Sequence, residues 1–446
     1  MAASPFAFFR GSVSIMAADL ASEANTGIMV QLCGDAHVQN LGCYEAPDGR
    51  LVFDINDFDE TIPGPWEWDV KRMAASLILA GLESDHGRSR CADAVEAFAA
   101  SYGGTIRNLA EQPVLVYARH QIHRAKKAQA VSAALRQAER ANPCDLLAKY
   151  TDGAGRFKKI EHVLWRLQGG TRRDVLNSLA LYRDSLAPER LHLFQFFRPL
   201  DVAFKVVGTG SVGLRDYVVL MQGNGPEDPL FLQIKQEEAS AYAPYLKTPG
   251  YSNHGCRVVE GQRKVQPVSD LLLGWTRIGD LDYAVRQLND HKGSVDLTEL
   301  RGDGLNSLAL VAGELLARGH ARSGDPLAIR AYLGSGAKAA KAIVRHALEY
   351  SSVVEADFAA FQKAIREEKV KIGSGSRISF RKMRCFFAAS ALPLPTSGQP
   401  CLRREFDCIM KINHLVAHSK LAAEVHSLRS VSRHGNGRPS RQRSRT

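Results

Sequence analysis

The spacing of apolar positions changes twice along the chain. Near the start, MVQLC at 29–33 and LVFDIN at 51–56 are short apolar runs with the look of strands. The second follows a turn signal, Pro47-Asp48-Gly49. PGPWEWD at 63–69 reads as a loop, 70–82 repeats at helical spacing, and a second helix is expected over about 90–111. Residues 117–140 read as a basic, Ala-rich helical stretch whose charges form a solvated face. Near 200 the period shortens to two, and 201–236 predicts three antiparallel strands with two Gly-rich turns between them. A helix is expected around 255–268, and 271–288 reads as two more strands joined by a tight turn. From 304 to 366 the helical period returns, and beyond about 370 no period is clear. There are no internal repeats. The expected class is α+β: a helical lobe over 1–195, a five-stranded β-rich lobe over 196–290, a helical segment over 291–370 that completes the first lobe, and a divergent tail over 371–446.

Composition narrows this picture in three ways. No run of about 18 apolar residues occurs, so no membrane span is expected. The first twenty residues lack a basic segment followed by a clean apolar core, so a cytoplasmic location is expected. The eight cysteines are scattered with no C-x-x-C pair, which argues against a zinc site or a disulfide framework. The net charge of +11 is uneven: 425–446 carries six Arg and no acid. That tail reads as disordered and could touch nucleic acid weakly. The rest of the chain has only a modest basic excess and needs no such partner.

The densest chemistry lies in GDAHVQNLGCYEAPDGRLVFDINDFDE at 34–60, with seven acidic residues in 27 positions. Asp35 and Asn40 are five apart on a loop after a strand. That Asp-x-x-x-x-Asn spacing serves phosphoryl transfer, where the Asp accepts the attacking hydroxyl's proton and the Asn carbonyl helps hold Mg²⁺. Asp54, Asp57 and Asp59 follow at the end of the next strand. Mg²⁺ takes one or two carboxylates and completes its shell with phosphate oxygens. Both Asp54 and Asp57 fit as the metal carboxylate: spacing from Asn40 favours Asp54 and spacing to Asp69 favours Asp57, the first choice. His37, between the Asp and the Asn, is a candidate catalytic or loop-orienting residue. Any of these residues alone could be a polar turn residue; the coincidence of offsets favours function.

A second group lies about 170 residues further on. VGTGSVG at 207–213 places Gly208, Gly210 and Gly213 in a G-x-G-x-x-G pattern. A strand, not a helix, is expected to follow, so a hairpin covering phosphates fits better than a dinucleotide turn. Lys235 lies near the end of the next strand, where it could reach nucleotide phosphates; otherwise it is a surface Lys at a strand end. The usual partner of such a Lys is a Glu on the next helix. Glu260 lies in the right region, with Glu237 and Glu238 as competitors.

These residues resemble the protein-kinase-like fold, most closely its aminoglycoside phosphotransferase branch. GDAHVQN resembles that branch's G-D-x-H-x-x-N, and DFDETIPGPWEWDVKR resembles its segment running from the metal Asp to a G-D-P-x-x-D-L turn. By this resemblance Asp69 would brace the catalytic loop through backbone hydrogen bonds. Kinases carry the Gly-rich loop and Lys before the catalytic loop, so the reversed order here implies a circular permutation, with 286–292 as the hinge. More narrowly, FFRGS, GDAHVQN, FDINDFDET, GPWEWDVKR, EGQR, RQLND and GHARSGD resemble the bacterial domain-of-unknown-function 2252 family over about 5–365. Two further arginines carry two readings each: Arg10 of FFRGS could face a phosphate or sit in a surface ion pair, and Arg322 could approach the catalytic loop or cap a helix.

The expected activity is an ATP- and Mg²⁺-dependent phosphotransferase acting on a hydroxyl of a small molecule or a protein. Two alternatives stand beside it. One is a nucleotide-binding, pseudokinase-like regulator. The other is a metal-dependent phosphoesterase using Asp35, His37, Asn40 and the Asp cluster, although two-metal sites usually need more His ligands than this pattern offers.

Overall fold

The computed structural model describes residues 1–119, 128–140, 143–152, 155–206, 213–247, 250–288 and 293–367. Gly208, Gly210, most of the expected hinge and the basic tail fall outside them.

The chain opens with two short helices, α1 (Pro5–Arg10) and α2 (Val13–Ala21). The Ser4 side chain caps α1 by accepting from the Ala7 N–H at 3.0 Å, and Pro5 at the first helical position presets its φ. Four strands follow: β1 (Met29–Leu32), β2 (Leu41–Glu45), β3 (Leu51–Ile55) and β4 (Ile62–Pro65). β1 pairs with β4, and β2 with β3, both antiparallel. The expected loop at 63–69 is therefore partly strand and partly helix. Its prolines sit in a two-stranded edge pairing, where missing N–H groups are tolerated. α3 (Trp66–Glu83) starts directly after Pro65, with Glu67 and Asp69 in its first turn, where carboxylates complement the helix dipole. Trp66 and Trp68 are buried in the core.

Six helices come next: α4 (Arg88–Glu111), α5 (Val114–Ala118), α6 (Gln129–Glu139), α7 (Pro143–Tyr150), and, after strand β5 (Leu164–Arg166), α8 (Gly169–Asp184) and α9 (Pro188–Phe194). The single helix expected over 117–140 is thus two, and 120–127 between them is not described. Then come β6 (Arg198–Lys205), β7 (Asp216–Gln222), β8 (Pro229–Glu237), α10 (His254–Val265), β9 (Gly274–Ile278), β10 (Leu281–Gln287) and the short β11 (Gly293–Ser294). The described chain closes with α11 (Gly304–Ser323), α12 (Pro326–Leu333) and α13 (Ala337–Arg366).

The result is an α+β protein with antiparallel sheets. Its main sheet runs β5-β6-β7-β8-β10-β9. The five strands expected from the sequence are all present, and β5 adds a sixth at the edge beside β6. Along β7 the side chains alternate between two cores. Tyr217, Val219 and Met221 join Val175 and Tyr182 of α8 on one face, whereas Val218 and Leu220 join Tyr150, Phe157 and Leu164 on the other. Both faces are covered, which explains why DYVVLM reads as nearly continuous apolar sequence. Residues from Tyr150 onward already pack on this sheet, so the sheet unit begins well before the expected boundary at 196.

The largest core joins α1–α4, β1–β4, α6 and α11–α13. Helix α11 crosses it beside α4. The segments before and after the sheet therefore share one hydrophobic core, and the sheet unit is an insertion within it. α10 touches both parts, packing on β10 and β9 and also on α11 and β1. Its approach is close: a Cβ on Gly261 would lie 2.4 Å from Thr61 Cγ2, so only Gly lets the helix settle against the acidic segment.

Candidate active site

The loop after β1 is held by one face of α3. Asp69, Arg72 and Ser76, spaced three and four residues apart, form a polar stripe on an otherwise buried helix. The Asp69 carboxylate accepts the backbone N–H groups of Cys33 at 2.8 Å and Gly34 at 3.0 Å, the bracing that the sequence resemblance implied. Ser76 Oγ accepts the Val38 N–H at 3.0 Å. Arg72 donates from Nε to Asp35 Oδ1 at 2.7 Å and from Nη2 to the Phe9 carbonyl at 3.2 Å. Behind Asp69 stands His320, whose Nε2 is 3.4 Å from Asp69 Oδ2 and whose Nδ1 meets the Tyr102 hydroxyl at 2.8 Å. Gly34 has φ +87°, and a Cβ there would lie 2.2 Å from the Glu60 carbonyl oxygen. The first residue of GDAHVQN must therefore be Gly for both conformation and space.

Within the loop, His37 is buried and orients its neighbours. Its Nδ1 accepts the Asn40 N–H at 3.1 Å, and its Nε2 lies 3.5 Å from Asp35 Oδ2. The Asn40 amide donates through Nδ2 to the Asp35 carbonyl at 2.8 Å, which leaves its Oδ1 end as the acceptor. Burial alone would raise the Asp35 carboxyl. The Arg72 guanidinium, and then His37, more than offset it and hold Asp35 well below the usual carboxylate range.

The Lys235 side chain comes from β8, the second strand after the expected Gly-rich hairpin, and meets the acidic segment. Its Nζ pairs with Asp59 Oδ2 and lies 3.9 Å from Asp57 Oδ1. Lys235 is only 8% exposed, so it is not a snorkelling surface residue. Burial would lower its pKa, but Asp57 and Asp59 together raise it. The two aspartates are coupled, with Asp59 donating its backbone N–H to Asp57 Oδ1 at 3.3 Å. Burial and then the Asp57 charge push Asp59 up to about 7. Asp57 is held low, because Lys235 and the hydrogen bond from Asp59 outweigh its burial. Glu237, two residues along the strand, is raised well above its usual range by burial and by Asp59. Arg257 of α10 fixes the segment by donating to the carbonyls of Thr61 at 2.6 Å and of Asp59 and Glu238 at 2.7 Å.

A cleft lined by Asp57, Phe58, Asp59, Lys235, Glu237 and Arg286, with Val258 and Gln262 of α10, lies behind this group. Its volume of about 20 Å³ holds about one water. The more open side is the one where the Asp57 side chain is 39% exposed and that of Asp35 21%.

The structure thus brings together Asp35, His37, Asn40, Asp57 and Lys235. It keeps two other candidates away. Asp54, in β3, is fully buried and ion-paired with Arg318 of α11, so it holds the core together and does not line the cleft. Glu260 is exposed on the outer side of α10, where it accepts from Cys256 Sγ at 3.5 Å, whereas Val258 and Gln262 face the cleft. Lys235 therefore pairs with Asp59 and not with the expected Glu260. Gly213 is exposed with φ +98°. Arg322 takes the helix-capping place of its two expected ones, donating to the carbonyls of Ala118, the last residue of α5, and of Gln266, the residue that follows α10. Sequence reasoning missed Arg72 and His320. Arg72 was detectable as the middle of the polar stripe spaced along an apolar helix; nothing marked His320 as the support of Asp69.

No curated protein and no solved structure matches this sequence. A family model described as "Uncharacterized protein conserved in bacteria (DUF2252)" matches residues 1–364, most of the chain. The chain belongs to that family, and the match covers every residue placed in the site above.

Proposed function

We propose that the protein is an ATP- and Mg²⁺-dependent phosphotransferase acting on a hydroxyl acceptor, built as a circular permutant of the kinase-like arrangement. One observation carries the reading. Lys235 meets Asp57 and Asp59 across 176 and more residues of sequence, beside a loop that presents Asp35 and Asn40. Kinase-type sites need a Lys on the third strand, a catalytic Asp, and an Asn and an Asp for the metal. All four residue types converge here.

The donor set suits Mg²⁺. Asp57 offers an ionised carboxylate and Asn40 an amide oxygen whose partner nitrogen is already engaged. Bound there, the ion would neutralise charge on the transferred phosphoryl group. Asp35 would orient the acceptor hydroxyl and take its proton late, as suits a weakly basic carboxylate in a loose transition state. Lys235 would leave Asp59 for the nucleotide phosphates. Among the described residues no group of three or more His, Cys, Asp or Glu is arranged to hold a metal.

The test is binding of a non-hydrolysable ATP analogue by calorimetry, with and without Mg²⁺, to wild type, Asp57→Ala and Lys235→Ala. Mg²⁺-dependent binding weakened at least tenfold by both changes is expected. Absence of binding to the wild type refutes the reading.

A further inference from the structure

Arg10 ends α1, and its backbone is fixed to the site. Phe6, Phe8 and Phe9 of the same helix are at most 2% exposed. The Phe9 carbonyl accepts from Arg72, whose guanidinium also lies 4.3 Å over the Phe9 ring and pairs with Asp35. The Phe6 ring meets His37 edge-on at 6.3 Å. The helix that carries Arg10 is therefore tied to the Asp35 loop at two points.

Among the described residues the Arg10 side chain has no hydrogen-bond or ion-pair partner. Its Nε is buried with no hydrogen bond, and among the described residues no carboxylate pairs with its guanidinium. Burial weakens its hold on its proton, while Asp35 and Asp57, followed by Glu83, push the other way. It lies within electrostatic reach of both aspartates yet bonds to neither. Arg10 is half-buried, and its Nε has lost water without gaining a bond, so an incoming anion would gain a charge-assisted partner there. Arg72 differs: its guanidinium is saturated by Asp35, Phe9 and Met16 and serves to position the loop.

We propose that Arg10 is a catalytic residue that binds the oxygens of the phosphoryl group as it passes from nucleotide to acceptor between Asp57 and Asp35. The inference rests on the phosphotransferase reading and assigns that site a charge-stabilising arginine supplied by its own chain. In the step, the acceptor hydroxyl oxygen bonds to the γ-phosphorus and the bond from that phosphorus to the β,γ-bridging oxygen breaks. That electron pair leaves on ADP, and the hydroxyl proton goes to Asp35. Charge spreads over the three non-bridging oxygens in the transition state, and a planar fork of N–H donors matches two of them. An arginine in this role is worth about 10³–10⁵ in turnover in related chemistry.

The experiment compares binding of MgADP with binding of MgADP plus aluminium fluoride, which mimics the transferring phosphoryl group, to full-length wild type, Arg10→Met and Arg10→Lys. Wild type is expected to bind the ADP–aluminium fluoride pair at least 100-fold more tightly than ADP. Arg10→Met should keep the ADP affinity within about twofold and lose at least tenfold of that gain, with Arg10→Lys in between. Undiminished gain in Arg10→Met, with wild type showing the full gain, overturns the role of Arg10 and leaves the phosphotransferase reading standing. Wild type that binds no nucleotide overturns both. Unchanged ADP affinity in Arg10→Met also shows that the variant is folded.

Discussion

Replacing Asp69 with Ala tests the architecture of the site independently of any activity. Asp69 is 1% exposed and accepts two buried backbone N–H groups, from Cys33 and Gly34. Removing the carboxylate strands both donors inside the largest core. A buried donor left without a partner costs about 1–3 kcal/mol, and bonds to a charged acceptor lie at the upper end of that range. Two donors would sum to about 2–6 kcal/mol, but the variant also escapes the cost of burying the carboxylate, so about 2–4 kcal/mol is expected. Asp69→Asn keeps one acceptor and turns an amide donor toward the other N–H, so about 1–3 kcal/mol is expected there. The bond from His320 is longer, at 3.4 Å, and His320→Ala should cost less than Asp69→Ala. Urea unfolding measures the global loss at constant m-value. Hydrogen exchange of the peptide spanning 33–40 reads the local one, and protection there should fall more than in the main sheet. Asp69→Ala within about 0.5 kcal/mol of wild type, with exchange at 33–40 unchanged, would refute the reasoning.

Three further outcomes follow from the same geometry. Gly34→Ala must place a side chain at φ +87° against the Glu60 carbonyl; strain of about 1 kcal/mol and overpacking of about 1–3 kcal/mol predict a loss of about 2–4 kcal/mol by urea unfolding. Arg318→Met leaves Asp54 buried and charged and should cost about 3–5 kcal/mol, whereas the double change Asp54→Leu with Arg318→Met should cost far less; equal losses would refute the assignment of this pair to the core. Burial and the Asp57 charge push the Asp59 carboxyl up to about 7 in the fold, above the usual carboxylate range of about 4, so between those values the native state keeps a proton that the unfolded chain releases. Its contribution to stability therefore falls as pH rises from about 4 to about 7 and is flat above. Asp59→Asn should remove that slope from a pH series of urea midpoints, and an unchanged slope would show that another group carries it.

How much of this was legible depends on whether each decision was local. The strands over 201–236 and the helices at 70–82 and 304–320 follow from period alone, because one buried face per element imposes it. β5 was not legible: three residues of a strand carry no period. β4 was hidden by its two prolines, which signal a turn unless the edge partner β1 is known. Asp35, Asn40 and Lys235 were readable because residue type and offset together are restrictive. The choice between Asp54 and Asp57 was not readable. Both fit the spacing, and what separates them is that Asp54 lies inside β3 opposite Gly42 and faces Arg318, which is 264 residues away in sequence. The position of Glu260 was closer to legible. Val258, Val259, Gln262 and Val265 are buried on α10, and that spacing leaves 260 outward.

On the phosphotransferase reading proposed above, the pairing of Lys235 with Asp59 in place of a helix carboxylate would change what the acidic segment does. In a kinase-type site with the Lys held by the helix, the Lys and the metal carboxylate lie on separate elements, and the helix sets the Lys position. Here Lys235 is held by Asp59, two residues from Asp57, within one short turn that Arg257 pins to both the end of β8 and α10. Charge placed on that turn is therefore felt by the lysine directly. A cation at Asp57 would weaken the pull of the turn on Lys235 and release it toward phosphate, while phosphate on Lys235 would leave Asp57 and Asp59 more negative and more attractive to the cation. Coupling of this kind is reciprocal, so each ligand must raise the affinity of the other by the same factor. In Asp59→Asn the lysine loses its closest counter-charge, and that factor should shrink because less of the competition remains to be relieved. The direction of that change separates this arrangement from one in which Asp59 is only a surface acid beside the site.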